Sequence, residues 1–437
     1  MHVKHYRHLL SILTLTVCSF SLVGHAKSID ANSYNYPLTN PFEATIATTP
    51  TVLQPADLPS NRNIDQDDYE LNLRPEREFT LPDNFWAVKK LKYRIARQPG
   101  PAPLIFLIAG TGSNYASSTM DFLKKVFYRD GFHVVQLSSP TSYDFMAGAS
   151  RYATPGYSPE DARDLYNVMN AVKAQQNQLK VTEYHLLGYS LGGLNAAFVS
   201  RLDEEKKSFN FKRVLMINPP VNLATSVSNL DKLVQTNVKG VNDDQTFFEL
   251  IFTKLATYFR AKGHIQLDAA MLYDFQQSSQ SLSNEELAML IGTTFRFSAA
   301  DIVFTTDLVN RRGSIVPLDS VITETSSLTP YFQASLRCNF TCYINHQLLP
   351  FWRQRFEGRD LDQLINDSSL TVLADYLQNS PKIGVMTNAD DLILGRGDLT
   401  FLRKTFAQRL TVYPYGGHLG NLNFRINVAD MLEFFHE

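Results

Sequence analysis

The sequence predicts an α/β fold, with a mostly parallel central sheet flanked by helices and interrupted by a large, mainly helical cap. Three observations predict it. Strand-like apolar runs alternate with amphipathic helical patterns over residues 85–222, the alternation stops over residues 223–377, and it resumes over residues 378–437. Strand and helix in alternation build a parallel sheet covered on both faces. A helical segment between two halves of one sheet is an insertion above the sheet's C-terminal edge, where ligands bind in open α/β sheets.

The elements follow in chain order. Residues 1–26 read as a signal peptide: Lys4 and Arg7 make a basic start, "LLSILTLTVCSFSLV" is apolar but short for a membrane span, and Gly24-His25-Ala26 supplies small residues for cleavage. Cys18 raises lipid attachment as an alternative, against which Val17 is larger than the small residue that such processing needs before the cysteine. The expected location is periplasmic or secreted, and no later segment reads as a membrane span. Residues 27–84, rich in Asn, Pro, Thr and Asp, read as an irregular N-terminal extension.

From residue 85 the texture changes. "WAVKKLKYRIA" alternates as a strand does, and "APLIFLIAGTG" is a continuous apolar run ending in glycines, as a buried parallel strand would be. "STMDFLKKVFYRDG" reads as a helix and "FHVVQLSS" as the next strand. Leu165, Val168, Met169 and Val172 recur at i, i+3, i+4 and i+7, the stripe of an amphipathic helix, and Leu194, Ala197, Phe198 and Leu202 repeat it further on. "FKRVLMINPP" closes the first half of the sheet. The expected cap carries a helical aromatic pattern in Phe248, Ile251, Phe252, Leu255 and Phe259. "PKIGVMTNADD", "RLTVYPYGGH" and a closing helix with Val428, Met431, Leu432 and Phe435 supply the second half.

Composition narrows the function. With 41 basic and 43 acidic residues, and no basic stripe, nothing points to nucleic acid. Beyond the leader only Cys338 and Cys342 remain, in "RCNFTCYINH". In an oxidising compartment a pair this close reads most simply as a disulfide; a zinc site with His346 would lack a nearby fourth ligand.

The chemistry centres on "EYHLLGYSLGGLNAAF", residues 183–198. Gly188 and Gly192 bracket Ser190 in a G-x-S-x-G pattern between a short buried strand and a helical pattern. In such an elbow the serine takes strained backbone angles, and the residues two before and two after it must lack side chains because strand and helix pass close together. A serine hydroxyl is a weak nucleophile at neutral pH, so it needs a base, an acid to hold that base, and donors for the oxyanion.

At these residues the chain resembles the α/β-hydrolases, over about residues 85–222 and 378–437. The resemblance implies a triad in the order serine, acid, histidine, each on a loop after a strand. His418, in the glycine-rich loop "YPYGGHLGNL" after the last strand, is the base it implies, with Gly416, Gly417 and Gly420 letting the loop reach the sheet edge. The acid lies in "TNADDLIL". Register favours Asp391, three residues beyond Asn388 as the turn residue, since Asn tolerates left-handed backbone angles; Asp390 is the alternative acid and Asp398 the next. The oxyanion donors are the N–H of Leu191 and that of Thr111, with Gly112 as the neighbouring option. Ala109 stands where many esterases of the family carry histidine.

The implied activity is hydrolysis of an ester-like bond, of the carboxylesterase or lipase type, through an acyl-enzyme. The implied partner is a small-molecule or lipid-like acyl substrate, and no cofactor or metal is implied. Peptidase or thioesterase action on the same triad, and a catalytically silent exported binding protein, are the alternatives.

Overall fold

A computed structural model describes residues 26–73, 80–241, 243–262 and 269–437; the expected signal peptide lies outside them except for Ala26. Among the described residues nine strands form one sheet: β1 Lys27–Ser28, β2 Gln66–Leu71, β3 Leu91–Ala96, β4 Ala102–Ile108, β5 His133–Leu137, β6 Val181–Tyr189, β7 Arg213–Ile217, β8 Ile383–Asn388 and β9 Leu410–Tyr413. They lie in the order β1-β9-β8-β7-β6-β4-β5-β3-β2. Only β3 runs antiparallel to its neighbours, β2 and β5; the other pairings are parallel.

Successive residues of β4 feed two separate cores. Phe106 and Ile108 pack on one face with Leu165 and Met169 of the helix Ser158–Gln175 and with Leu194 and Phe198 of the helix Leu191–Lys206. Ile105 and Leu107 pack on the other with Leu123 and Phe127 of the helix Ser118–Arg129 and with Met431 and Phe435 of the helix Arg425–His436. Burial on both faces is why the central strands read as unbroken apolar runs.

Two local readings change. Residues 27–84, expected to be irregular, contribute β1, β2 and a helix at Pro41–Ala47. β2 is an edge strand whose residues Asp67, Asp68 and Glu70 are exposed, so it carries no run of apolar residues to read. In "WAVKKLKYRIA" only Leu91–Ala96 is strand, and Asp83–Val88 forms 3-10 turns.

Between β7 and β8 the described chain is helical, with helices at Leu223–Leu233, Asp244–Lys262, Ala269–Gln276 and Asn284–Asn310 and shorter pieces down to Asn379. The 284–310 helix starts from a capping box in which Ser283 and Glu286 exchange side-chain-to-backbone bonds. By length and composition it is apolar enough to cross a membrane, yet over half of its most apolar stretch is buried within the fold. Its residues Ile302, Val303, Leu308 and Val309 pack with Tyr343, Phe351 and Trp352 in a core that also takes in Phe85, Met146 and Tyr157 from the first half of the fold. Cys338 and Cys342 are disulfide-bonded, with Cα atoms 5.2 Å apart, and Cys338 is buried in that same core.

Candidate active site

Strand β6 ends at Tyr189 and the helix starts at Leu191, so the whole reversal falls on Ser190. Its φ of 53° lies in the left-handed region that a serine rarely adopts. Two things hold it there: the Ser190 N–H donates to the Ile217 carbonyl of β7 at 2.8 Å, and the flanking glycines let the segments touch. A Cβ on Gly188 would overlap the Gly192 carbonyl, and one on Gly192 would overlap the Ile108 and Ala109 carbonyls at the end of β4.

His418 stands on the loop after β9. Its Nε2 lies 2.9 Å from Ser190 Oγ, and its Nδ1 lies 3.0 and 3.2 Å from the two oxygens of Asp391. A carboxylate only accepts, so the ring proton sits on Nδ1 and leaves Nε2 free to accept from the serine hydroxyl. The Asp391 side chain is wholly buried. Besides the imidazole it takes the Asn218 amide at 2.7 Å on Oδ2 and the Ile393 N–H at 3.1 Å on Oδ1. Both contacts fix the plane of its carboxylate.

Asp390 points elsewhere. Its carboxylate accepts the Gly416 and Gly417 N–H groups at 3.2 and 3.0 Å, while burial pushes its pKa up against those two donors. The Asn388 amide donates to the Gly417 carbonyl at 2.7 Å. Asn388 thus ends β8 with its side chain turned to the histidine loop, and it is not among the residues with left-handed backbone angles. Asp398 begins a separate helix and accepts the Gly395 N–H at 2.8 Å.

Of the two oxyanion candidates after β4, the Gly112 N–H already donates to Thr141 Oγ1 at 2.9 Å. Thr111 lines the cleft that also holds Ser190 and His418. Leu191 is the first residue of its helix, where backbone N–H groups lack intrahelical partners and the dipole favours negative charge.

Two residues of this site escape sequence reasoning. Asn218, at the end of β7 with φ 46°, is buried and donates to Asp391; a polar residue closing the strand beside the serine strand was the available signal. Thr45 accepts the His418 N–H at 2.9 Å from the 41–47 helix, and at 373 residues' separation nothing local announces it.

No protein-family model and no curated protein sequence matches the chain. Among solved structures it is similar to a bacterial membrane phospholipase A at 14% identity, covering 85% of this chain and 86% of that one with a TM-score of 0.39. It is likewise similar to a hyperthermophilic esterase from Pyrobaculum calidifontis, at 15% identity, 90% and 87% coverage and a TM-score of 0.40. A thioesterase domain from the curacin biosynthetic pathway overlaps at 13% identity, 85% and 99% coverage and a TM-score of 0.38.

The sheet order and the strand–serine–helix elbow are those of the α/β-hydrolase fold. Within it, the elbow, the loop after β8 and the loop after β9 all open at the C-terminal edge of parallel strands, as open α/β sheets place their sites. An α/β-hydrolase sheet also supplies the neighbour strand whose carbonyl holds Ser190, since β7 lies beside β6.

Proposed function

We propose that the protein is an exported serine hydrolase, periplasmic or secreted, that cleaves an ester-like bond through an acyl-enzyme. The observation that carries this reading is the line from Asp391 through His418 to Ser190, with contacts of 3.0 and 2.9 Å. Ser190 Oγ attacks the carbonyl carbon while its proton passes to His418 Nε2. The oxyanion forms against the Leu191 and Thr111 N–H groups. The imidazolium then protonates the departing oxygen as the C–O bond breaks, and water repeats the sequence on the acyl-enzyme. Asp391 holds the ring tautomer and offsets its positive charge. The disulfide supports the location, since such bonds persist in oxidising compartments.

A fluorophosphonate probe tests the reading, because it labels only a base-activated serine beside an oxyanion hole. Labelling should map to Ser190 and vanish, together with ester turnover, in Ser190→Ala. Labelling that survives that substitution refutes the assignment.

A further inference from the structure

Two cavities flank the elbow, one lined by Ser190 and the other by Leu191, the next residue. The first, of about 270 Å³, contains Ser190 and His418 and is lined in part by Thr45, Ser113, Thr294 and Ser298, whose hydroxyls all bond within the protein. The second leaves about 60 Å³ for the centres of water-sized groups and is walled chiefly by Leu191, Leu223, Val227, Phe295, Ala299 and Val303. Thr111 and Phe295 belong to both walls, so the two cavities adjoin one another. Among the described residues neither wall contains a Lys, Arg, Asp or Glu.

Three polar side chains of the second wall already bond within the protein. Tyr343 donates its hydroxyl to the Pro155 carbonyl at 2.6 Å, Thr141 Oγ1 accepts the Gly112 N–H, and Asn339 Oδ1 accepts the Cys342 N–H at 2.9 Å. What remains for a ligand there is apolar surface.

The proton's route assigns the two sides. His418 Nε2 must reach the departing oxygen, so the leaving group occupies the cavity that contains His418. The second cavity contains both oxyanion-donor residues, Leu191 and Thr111, and not the imidazole, so the chain attached to the carbonyl enters it. At about 15 Å³ of such space per water it holds about four waters, and by volume a chain of about four carbons.

We propose that this second cavity is an acyl subsite, making the substrate a short-chain acyl ester of a neutral alcohol. The inference rests on the serine-hydrolase reading above. It places the chain-length limit at Ala299, a small residue on the 284–310 helix facing the subsite.

The test compares kcat/KM for glycerol esters with acyl chains of two to twelve carbons, and for butyrate esters of glycerol, of a cationic alcohol and of an anionic phosphoglycerol. Each methylene up to about four carbons should raise kcat/KM about fourfold, the value for burying one CH₂, after which the gain should stop. The neutral butyrate should exceed both charged ones at least tenfold. Ala299→Phe should bring the butyrate-to-acetate ratio close to one, and Ala299→Val should lower it in the same direction with a smaller insertion; fluorophosphonate labelling of Ser190 checks that each variant is folded. An optimum at eight or more carbons, a preferred charged alcohol, or a ratio unmoved in both labelled variants overturns the inference and leaves the serine hydrolase intact. An inert Ser190 with no ester turned over removes both.

Discussion

Asp391 and Asp390 are neighbours in the chain with opposite tasks: the first faces the His418 ring, and the second holds the glycines that precede it. Asp391→Asn should therefore lose about 10⁴-fold in kcat, because an amide favours the wrong imidazole tautomer. Asp390→Asn keeps one acceptor for the loop and should lose about tenfold or less. Steady-state kinetics on the two variants decides it, and an Asp390 variant more damaged than the Asp391 one would reverse the assignment.

Asn218 predicts a second effect. Its amide is a donor to a buried carboxylate, and hydrogen bonds to charged groups contribute about 1.5–3 kcal/mol. Asn218→Leu should lower kcat by about tenfold to a hundredfold while KM stays near its original value, since the amide positions the acid and touches no substrate. A loss expressed in KM alone would argue against this.

Ser190, His418 and Asp391, which the structure brings into contact, were legible because each sits in a local pattern: a glycine bracket for Ser190, a glycine loop after a strand for His418, and adjacent acids after a strand for Asp391. Asn388 was read as a marker of register for the wrong physical reason, since its side chain binds the Gly417 carbonyl and its backbone is not left-handed. Strands β4 to β9 were legible through two-sided burial, whereas β2 was not, being a polar edge strand. Asn218 and Thr45 act across 173 and 373 residues, and no periodicity encodes a partner at that range.

Asp161 gives a stability prediction with a definite sign. It is buried in the first turn of the 158–175 helix and accepts the Gly156 N–H at 2.9 Å. Burial, and secondarily Asp164, push its carboxyl up to about 8, with the Gly156 donor opposing. The unfolded chain releases this proton near the ordinary carboxylate value, so between about pH 4 and 8 the folded state binds more protons and stability falls as pH rises. Asp161→Asn mimics the neutral form. Its stability relative to the parent should grow across that window and level off above it in denaturant melts; a gap independent of pH would contradict the buried-acid account.

The Cys338–Cys342 bond closes a loop of sequence separation 4 within the cap. Chain-entropy arguments give such a short loop about 2 kcal/mol. Reduction should therefore weaken hydrogen-exchange protection around residues 338–352 and leave the sheet's protection unchanged. Equal loss in both would show that the cap and the sheet unfold as one unit.

The contact between Thr45 and His418 joins two segments far apart in the chain. Tyr36 and Thr49 both donate to the Gly420 carbonyl, and Tyr34 joins Asn421 and Asn427, so residues 34–49 and 418–427 share one small bundle of bonds. Residues 34–49 precede strands β2 to β9, and residues 418–427 follow them. Contacts of this span are slow to close. The loop that carries His418 therefore gains its grip late in folding, and the meeting of His418 with Ser190, 228 residues apart, should be among the last contacts to form.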